Sequence, residues 1–290
     1  MGIEGTRVEL ARAKVNLTLR VHGRRPDGFH DLESLVAFAD FGDRLTLDLA
    51  TPPGVTVTGP GGAAIVGDNL VAVALALLAA ENPALRLGHI HLEKVIPVAA
   101  GLGGGSVDAA AVLRLIRACN GEKAAKVDWM AVAARLGSDV PVCLASHTCM
   151  MSGRGERLQA LDEVPEQHAV LVNPNVPVPP DKTRKVFEVL AAAPVDPHRK
   201  ATPMPTAGND WNAYIERSRN DLEAAATAVV PAIAHILSNL RRHPRARLAR
   251  LAGAGPTCFA LVATEPDANH LADDLKTRFP TWWIQPVRLG

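Results

Sequence analysis

The residues best placed to do chemistry lie in one run. Pro97, Val98, Ala99, Ala100, Gly101, Leu102, Gly103, Gly104, Gly105, Ser106 and Val107 join an alternating strand pattern at His89–Lys94 to a helical pattern at Ser106–Cys119. Glycines at 101, 103, 104 and 105 let backbone N–H groups turn inward without Cβ obstruction, and the following helix adds the positive end of its dipole. Such a turn suits a polyphosphate. No Lys follows the glycines as a P-loop requires, and Ser106 stands where a dinucleotide-binding fingerprint needs its third glycine, so neither of those classes fits.

If a polyphosphate held there gave up a phosphoryl group to a hydroxyl, the step would need a carboxylate for the hydroxyl proton and a cation near the developing charge. Asp139, in Gly137-Ser138-Asp139-Val140-Pro141, and Lys14, in Ala13-Lys14-Val15-Asn16-Leu17, are candidates of the right type. Taken residue by residue, each has a plainer alternative. An aspartate after Gly-Ser and before Val-Pro suits a turn or helix cap, and a lysine in an alternating strand usually points to solvent.

The elements that would position these groups follow from periodicity and capping. Val8–Val21 and Arg44–Leu49 alternate as strands, and Asp68 and Asn69 can cap an apolar helix over Leu70–Ala80. Asp128–Leu136 reads as a short helix closed by Gly137. Pro-rich clusters at 174–180 and 194–205 bracket an expected linker. Beyond it come a long helix over Asn220–Arg241 interrupted at Pro231, strands at Arg247–Leu251 and Cys258–Ala263, a helix over Glu265–Arg278 and a strand at Trp283–Val287. This pattern predicts an α+β chain of two lobes, 1–165 and 166–290.

Six segments in this order resemble the GHMP kinases: Ala13–Leu17, Asp27-Gly28-Phe29-His30, Asp68-Asn69-Leu70, the glycine-rich run, Gly137–Val142, and Leu251-Ala252-Gly253-Ala254-Gly255-Pro256-Thr257. The Asp-Gly-Phe-His element and the triple glycine followed by Ser-Val-Asp-Ala-Ala are similar to one branch of them. That branch phosphorylates the 2-hydroxyl of 4-diphosphocytidyl-2-C-methyl-D-erythritol in the non-mevalonate isoprenoid pathway.

The resemblance implies the two-lobed GHMP kinase fold, with a ribosomal-protein-like N-terminal lobe and a ferredoxin-like C-terminal lobe. It implies ATP, with Mg²⁺ carried on its phosphates, and no metal ligands of the protein's own. Asp139 would be the base toward the substrate hydroxyl, with Lys14 orienting it and steadying the transferring group. Residues 97–107, with Lys94 and Asn69, would bind ATP. Asn16, Phe29, His30, Thr183 and Gly253 would meet the substrate, Phe29 by stacking on the pyrimidine where relatives more often have Tyr, and Val107 stands where they often carry a second Ser. A homoserine- or mevalonate-type kinase is the alternative within the superfamily.

Composition bounds these expectations. With 290 residues, 48% hydrophobic and 21% charged, the chain can bury a sizeable core. A formal net charge of +1 provides no overall field for nucleic acid, which counts against a nucleic-acid-binding module. Cys119, Cys143, Cys149 and Cys258 lack zinc-site spacing and read as reduced thiols of a cytoplasmic protein. The longest apolar run, Leu70–Ala80, is about half of the roughly 20 residues a membrane span needs, and the charged stretch Met1–Glu9 does not read as a signal peptide.

Overall fold

In the computed structural model, residues 6–62, 69–196, 204–205 and 208–290 are described. The elements fall into two compact units that interleave along the chain. The first comprises the segments Met1–Lys14, Phe41–Val98 and Gly103–Ser146, and the second Val15–Asp40, Ala99–Leu102 and His147–Gly290. The sequence suggested one boundary near residue 165. The contacts divide the chain at 14–15, 40–41, 98–99, 102–103 and 146–147.

Strand β1 (Thr6–Asn16) passes through both units, as does β3 (His30–Asp48). In the first unit β4 (Gly54–Thr58) lies parallel to β5 (His89–Glu93), which pairs antiparallel with the second half of β3, from Arg44↔Glu93 to Asp48↔His89. Among the described residues five helices belong to this unit: α1 (Leu70–Glu81), α2 (Gly104–Cys119), α3 (Gly121–Ala124), α4 (Trp129–Leu136) and α5 (Val140–Ala145). Helix α1 begins at Asn69, whose side chain accepts from Val71 N at 2.9 Å. Asp68 lies outside the described residues.

In the second unit β2 (Arg20–Arg24) and β6 (Cys149–Gly153) flank the first half of β3, and β7 (Arg157–Ala160) continues from β6. A further antiparallel array runs in the order β11 (Trp283–Leu289), β8 (Gln167–Asn173), β10 (Cys258–Val262) and β9 (Leu248–Leu251). Helices α6 (Lys182–Leu190), α7 (Gly208–Arg217), α8 (Glu223–Val229), α9 (Ala232–Arg242) and α10 (Glu265–Arg278) complete the unit. Val172, Ile233, Leu237, Leu251, Cys258 and Leu271 belong to its common core.

Three expectations are corrected. The strand drawn over Val8–Val21 is broken between Asn16 and Arg20, where Leu19 leaves the ladder to bond Arg219 O and Asp221 N. The Arg44–Leu49 strand is the end of the much longer β3. The described part of the expected linker contains α6, because Val186 buries completely and Phe187 and Leu190 pack beside it against the core. Pro231 does divide its region into two helices, α8 and α9. Among the described residues no helix is long and apolar enough to cross a membrane.

Candidate active site

Lys14 lies on the inner part of β1, where the alternation of the outer residues gives way to continuous burial, and it is only 3% exposed. Its ammonium donates to Asp139 Oδ2 at 2.8 Å. Asp139 occupies the N-cap position of α5, yet its side chain makes no capping bond; its backbone carbonyl accepts from Cys143 N instead. Both plainer alternatives therefore fail, since the lysine does not face solvent and the aspartate side chain does not cap. A carboxylate 38% exposed, aimed by a buried cation, is a group that an incoming hydroxyl can reach.

The same unit holds the end of the glycine-rich run. Helix α2 begins at Gly104, two residues before the expected start, with Gly103 left-handed at φ 69° and no side-chain cap. Its first-turn N–H groups thus have no capping side chain. Side chains of the same unit lie close to these glycines. A Cβ at Gly104 would sit 3.1 Å from Lys94 Nζ, one at Gly105 3.3 Å from Leu70 Cδ1, and one at Gly103 3.4 Å from the Lys14 side chain. The glycines let neighbouring side chains come close beneath the turn.

Lys94, just past β5, is buried in an ion triad. It donates to Asp43 Oδ2 and, at 2.7 Å, to Asp108 Oδ2, while Asp43 Oδ1 accepts from Val95 N at 2.6 Å and Ile96 N at 2.8 Å. Among the described residues the buried Asp108 Oδ1 has no hydrogen-bond partner. Burial pushes the Asp108 carboxyl well above the usual carboxylate range; Lys94 opposes this and Asp43 adds to it. The two carboxylates raise the Lys94 ammonium despite its burial. Two acids sharing one ammonium leave an excess negative charge in an apolar place, which favours holding a proton.

The second unit gathers the other expected residues. Asn16 donates to Ser34 Oγ at 2.7 Å, and a Cβ on Gly253 would lie 3.3 Å from Asn16 Oδ1, so these two are neighbours. Phe29 is 52% exposed, with the Arg154 guanidinium 4.8 Å from its ring centroid. His30 stacks on Phe187 at 4.4 Å and 22°, and burial, aided by Arg24, lowers its pKa. Thr183 is exposed in the first turn of α6, four residues before Phe187 and so on the same helix face.

The start of the glycine-rich run belongs to this unit as well. Thr257 N donates to Ala100 O at 3.0 Å. At Gly101, with φ 84°, a Cβ would come within 2.6 Å of Gly255 O and 2.8 Å of Ala252 O. Asn220 holds the carbonyls of Leu251 and Gly253, and Asn173 donates to Thr257 Oγ1 at 2.8 Å. The 253–257 turn is thus more than a tight hairpin, being the bed on which 99–102 rests.

Comparison with known proteins decides the family. Residues 69–147 match the GHMP kinases N terminal domain and residues 208–281 the GHMP kinases C terminal domain. The chain is 47% identical to the 4-diphosphocytidyl-2-C-methyl-D-erythritol kinase of Bradyrhizobium sp. (strain BTAi1), over 97% of this chain and 96% of that one. It is 48% identical to the enzyme of the same name from Rhodopseudomonas palustris (strain BisB5), with 97% and 98% covered. A crystal structure of 4-(cytidine 5'-diphospho)-2C-methyl-D-erythritol kinase superposes with a TM-score of 0.78 at 32% identity, covering 98% of this chain and 99% of that one. The chain belongs to the 4-diphosphocytidyl-2-C-methyl-D-erythritol kinase family of GHMP kinases.

Homoserine kinase from Cytophaga hutchinsonii, at 19% identity and a TM-score of 0.70 over 99% of this chain and 96% of that one, shares the fold. In this GHMP kinase, sequence reasoning assigned no role to Asp43, Asp108, Lys182 or Phe187. Asp108 carried a usable signal, as an acid set among Val107, Ala109, Ala110 and Ala111 on a helix must find a partner when it buries. Nothing local marks Asp43. Among the described residues no group of three or more His, Cys, Asp or Glu is arranged to hold a metal ion.

Proposed function

We propose that this kinase moves the γ-phosphoryl group of ATP to the 2-hydroxyl of 4-diphosphocytidyl-2-C-methyl-D-erythritol, with Asp139 and Lys14 at the reacting atoms. The observation that carries the residue roles is the Lys14–Asp139 pair, a buried ammonium 2.8 Å from a half-exposed carboxylate. Asp139 accepts the hydroxyl proton as the oxygen attacks. Lys14 keeps the carboxylate aimed, and its charge offsets that of the transferring group.

Residues 97–107 receive the phosphates, with the uncapped first turn of α2 supplying N–H donors. Lys94 supports that turn from beneath through Asp108 and Asp43, and Asn69 fixes the start of α1. Mg²⁺ would be carried on ATP, as an ion that keeps waters and phosphate oxygens and needs few protein ligands. Mg²⁺ would draw charge from the phosphates. Phe29 offers an open ring face to the cytosine, His30 a polar edge, and Asn16, Gly253 and Thr183 complete the substrate side. We place the enzyme in the cytoplasm, where its four unbridged cysteines stay reduced.

An ADP-release assay tests the reading across the cytidyl substrate, its uridyl analogue, methylerythritol phosphate, homoserine and mevalonate. Rapid turnover is expected only with the cytidyl compound. Comparable turnover of homoserine or mevalonate would overturn the acceptor assignment.

A further inference from the structure

Lys182 is the first residue of α6 and is 3% exposed. Its ammonium donates to Ala99 O at 2.9 Å and to Gly255 O. Ala99 holds a left-handed backbone at φ 56°, a conformation that strains a residue with a Cβ. The bond from Lys182 lands on the carbonyl of this strained residue, where the chain enters the glycine-rich run. No carboxylate pairs with Lys182 among the described residues, and burial alone lowers its pKa to about 8. Most buried charges in proteins are paired, so an ammonium satisfied only by carbonyls carries a charge that awaits a counter-ion.

We propose that Lys182 is a positioning residue for phosphoryl transfer, clamping Ala99 to Gly255 so that the glycine-rich run is preset for ATP, whose phosphates balance the buried positive charge. This rests on the reading of residues 97–107 as the phosphate site. Bound phosphate favours the protonated lysine, so ATP and the proton bind with mutual support. ATP affinity is steady while free Lys182 is charged and falls as the pH climbs past about 8. The loops packed against the ammonium, 99–102 and 253–257, contain no titratable residue. On its own helix end, Asp181 is engaged by Lys185 at 3.1 Å and by Arg184.

The experiment measures ATP binding to the full chain by calorimetry from pH 7.0 to 9.5, for wild type, Lys182→Met and Lys182→Arg. Lys182→Met should weaken ATP about 10- to 100-fold at pH 7, the scale of hydrogen bonds to charged groups, and remove the loss of affinity above pH 8. Lys182→Arg should restore affinity at pH 7 and keep it at pH 9.5, because guanidinium does not titrate there. Wild-type affinity that is flat with pH overturns the proposal, and this measurement needs no variant to fold. So does an alkaline loss that persists in Lys182→Arg, which assigns it to another group such as Asp108. ATP binding by Lys182→Met equal to wild type removes Lys182 and leaves the phosphate-site reading standing; a wild type that binds no ATP removes that reading itself.

Discussion

Lys14 Nζ stands 2.8 Å from Asp139 Oδ2, joining the inner part of a strand to the start of a six-residue helix 125 positions later. Each side chain gives the other its purpose, as the ammonium needs a counter-charge in its burial and the carboxylate needs an aim. Asp139→Asn should lower kcat by roughly 10²- to 10⁴-fold with little change in ATP affinity. Combining it with Lys14→Met should cost far less than the product of the two single losses, as for residues that act as one unit. Steady-state kinetics and ATP titration check both, and a single variant that keeps most of its turnover would return Asp139 to a structural part.

Asp108 makes a prediction about stability. Its folded pKa is raised above the unfolded value of 3.8, so between that value and the folded one the native state holds more protons than the unfolded chain. Stability tied to this group is therefore present at low pH and lost as the pH rises toward neutrality and beyond. Urea unfolding at pH 5 and pH 7.5 should show that decline, and Asp108→Asn should shrink it by about 1 kcal/mol or more. An unchanged difference between the two pH values would contradict the shared proton.

Two glycines with nearly equal φ separate backbone strain from crowding. Gly28 at 86° has nothing within 4 Å of a Cβ, whereas Gly101 at 84° would press one against Gly255 O at 2.6 Å. Gly28→Ala should cost about 1 kcal/mol, the strain alone. Gly101→Ala should cost about 3 kcal/mol or more, because backbone rather than a flexible side chain must move. Denaturation midpoints compare the two, and equal losses would show that the 253–257 turn yields easily.

At the acceptor side, Phe29→Ala should raise KM for the cytidyl substrate, with base–aromatic stacking worth about 1–3 kcal/mol, and leave KM for ATP nearly unchanged. The half-open ring, with Arg154 on one face, is the reason to expect stacking. If both constants stay put, the pyrimidine rests elsewhere.

Local patterns announced some elements closely and others hardly at all. Helix α10 runs over the expected residues because Thr264 caps it, accepting from Asp267 N at 3.2 Å, within a plain polar-to-apolar period. Helix α2 starts earlier than its capping chemistry suggested, since glycine propensity yields to packing against Lys94 and Leu70. Asp139 and Lys14 became visible as a pair only through motif order, because the contact spans most of one unit. Asp43 and Lys182 are held by partners in distant segments, Lys94 and Ala99 among them, and their neighbours in sequence carry no trace of that.

The interleaving of the two units bears on how the chain is made. It passes between them at 14–15, 40–41, 98–99, 102–103 and 146–147, five times in all. A ribosome releasing the chain from its N-terminus delivers the last residues of the first unit at Ser146, long after residues 15–40 of the second have emerged. Those early strands must wait for β8, β10 and β11 before their unit is whole. A nascent chain halted midway holds a finished set of residues for one unit and stranded pieces of the other.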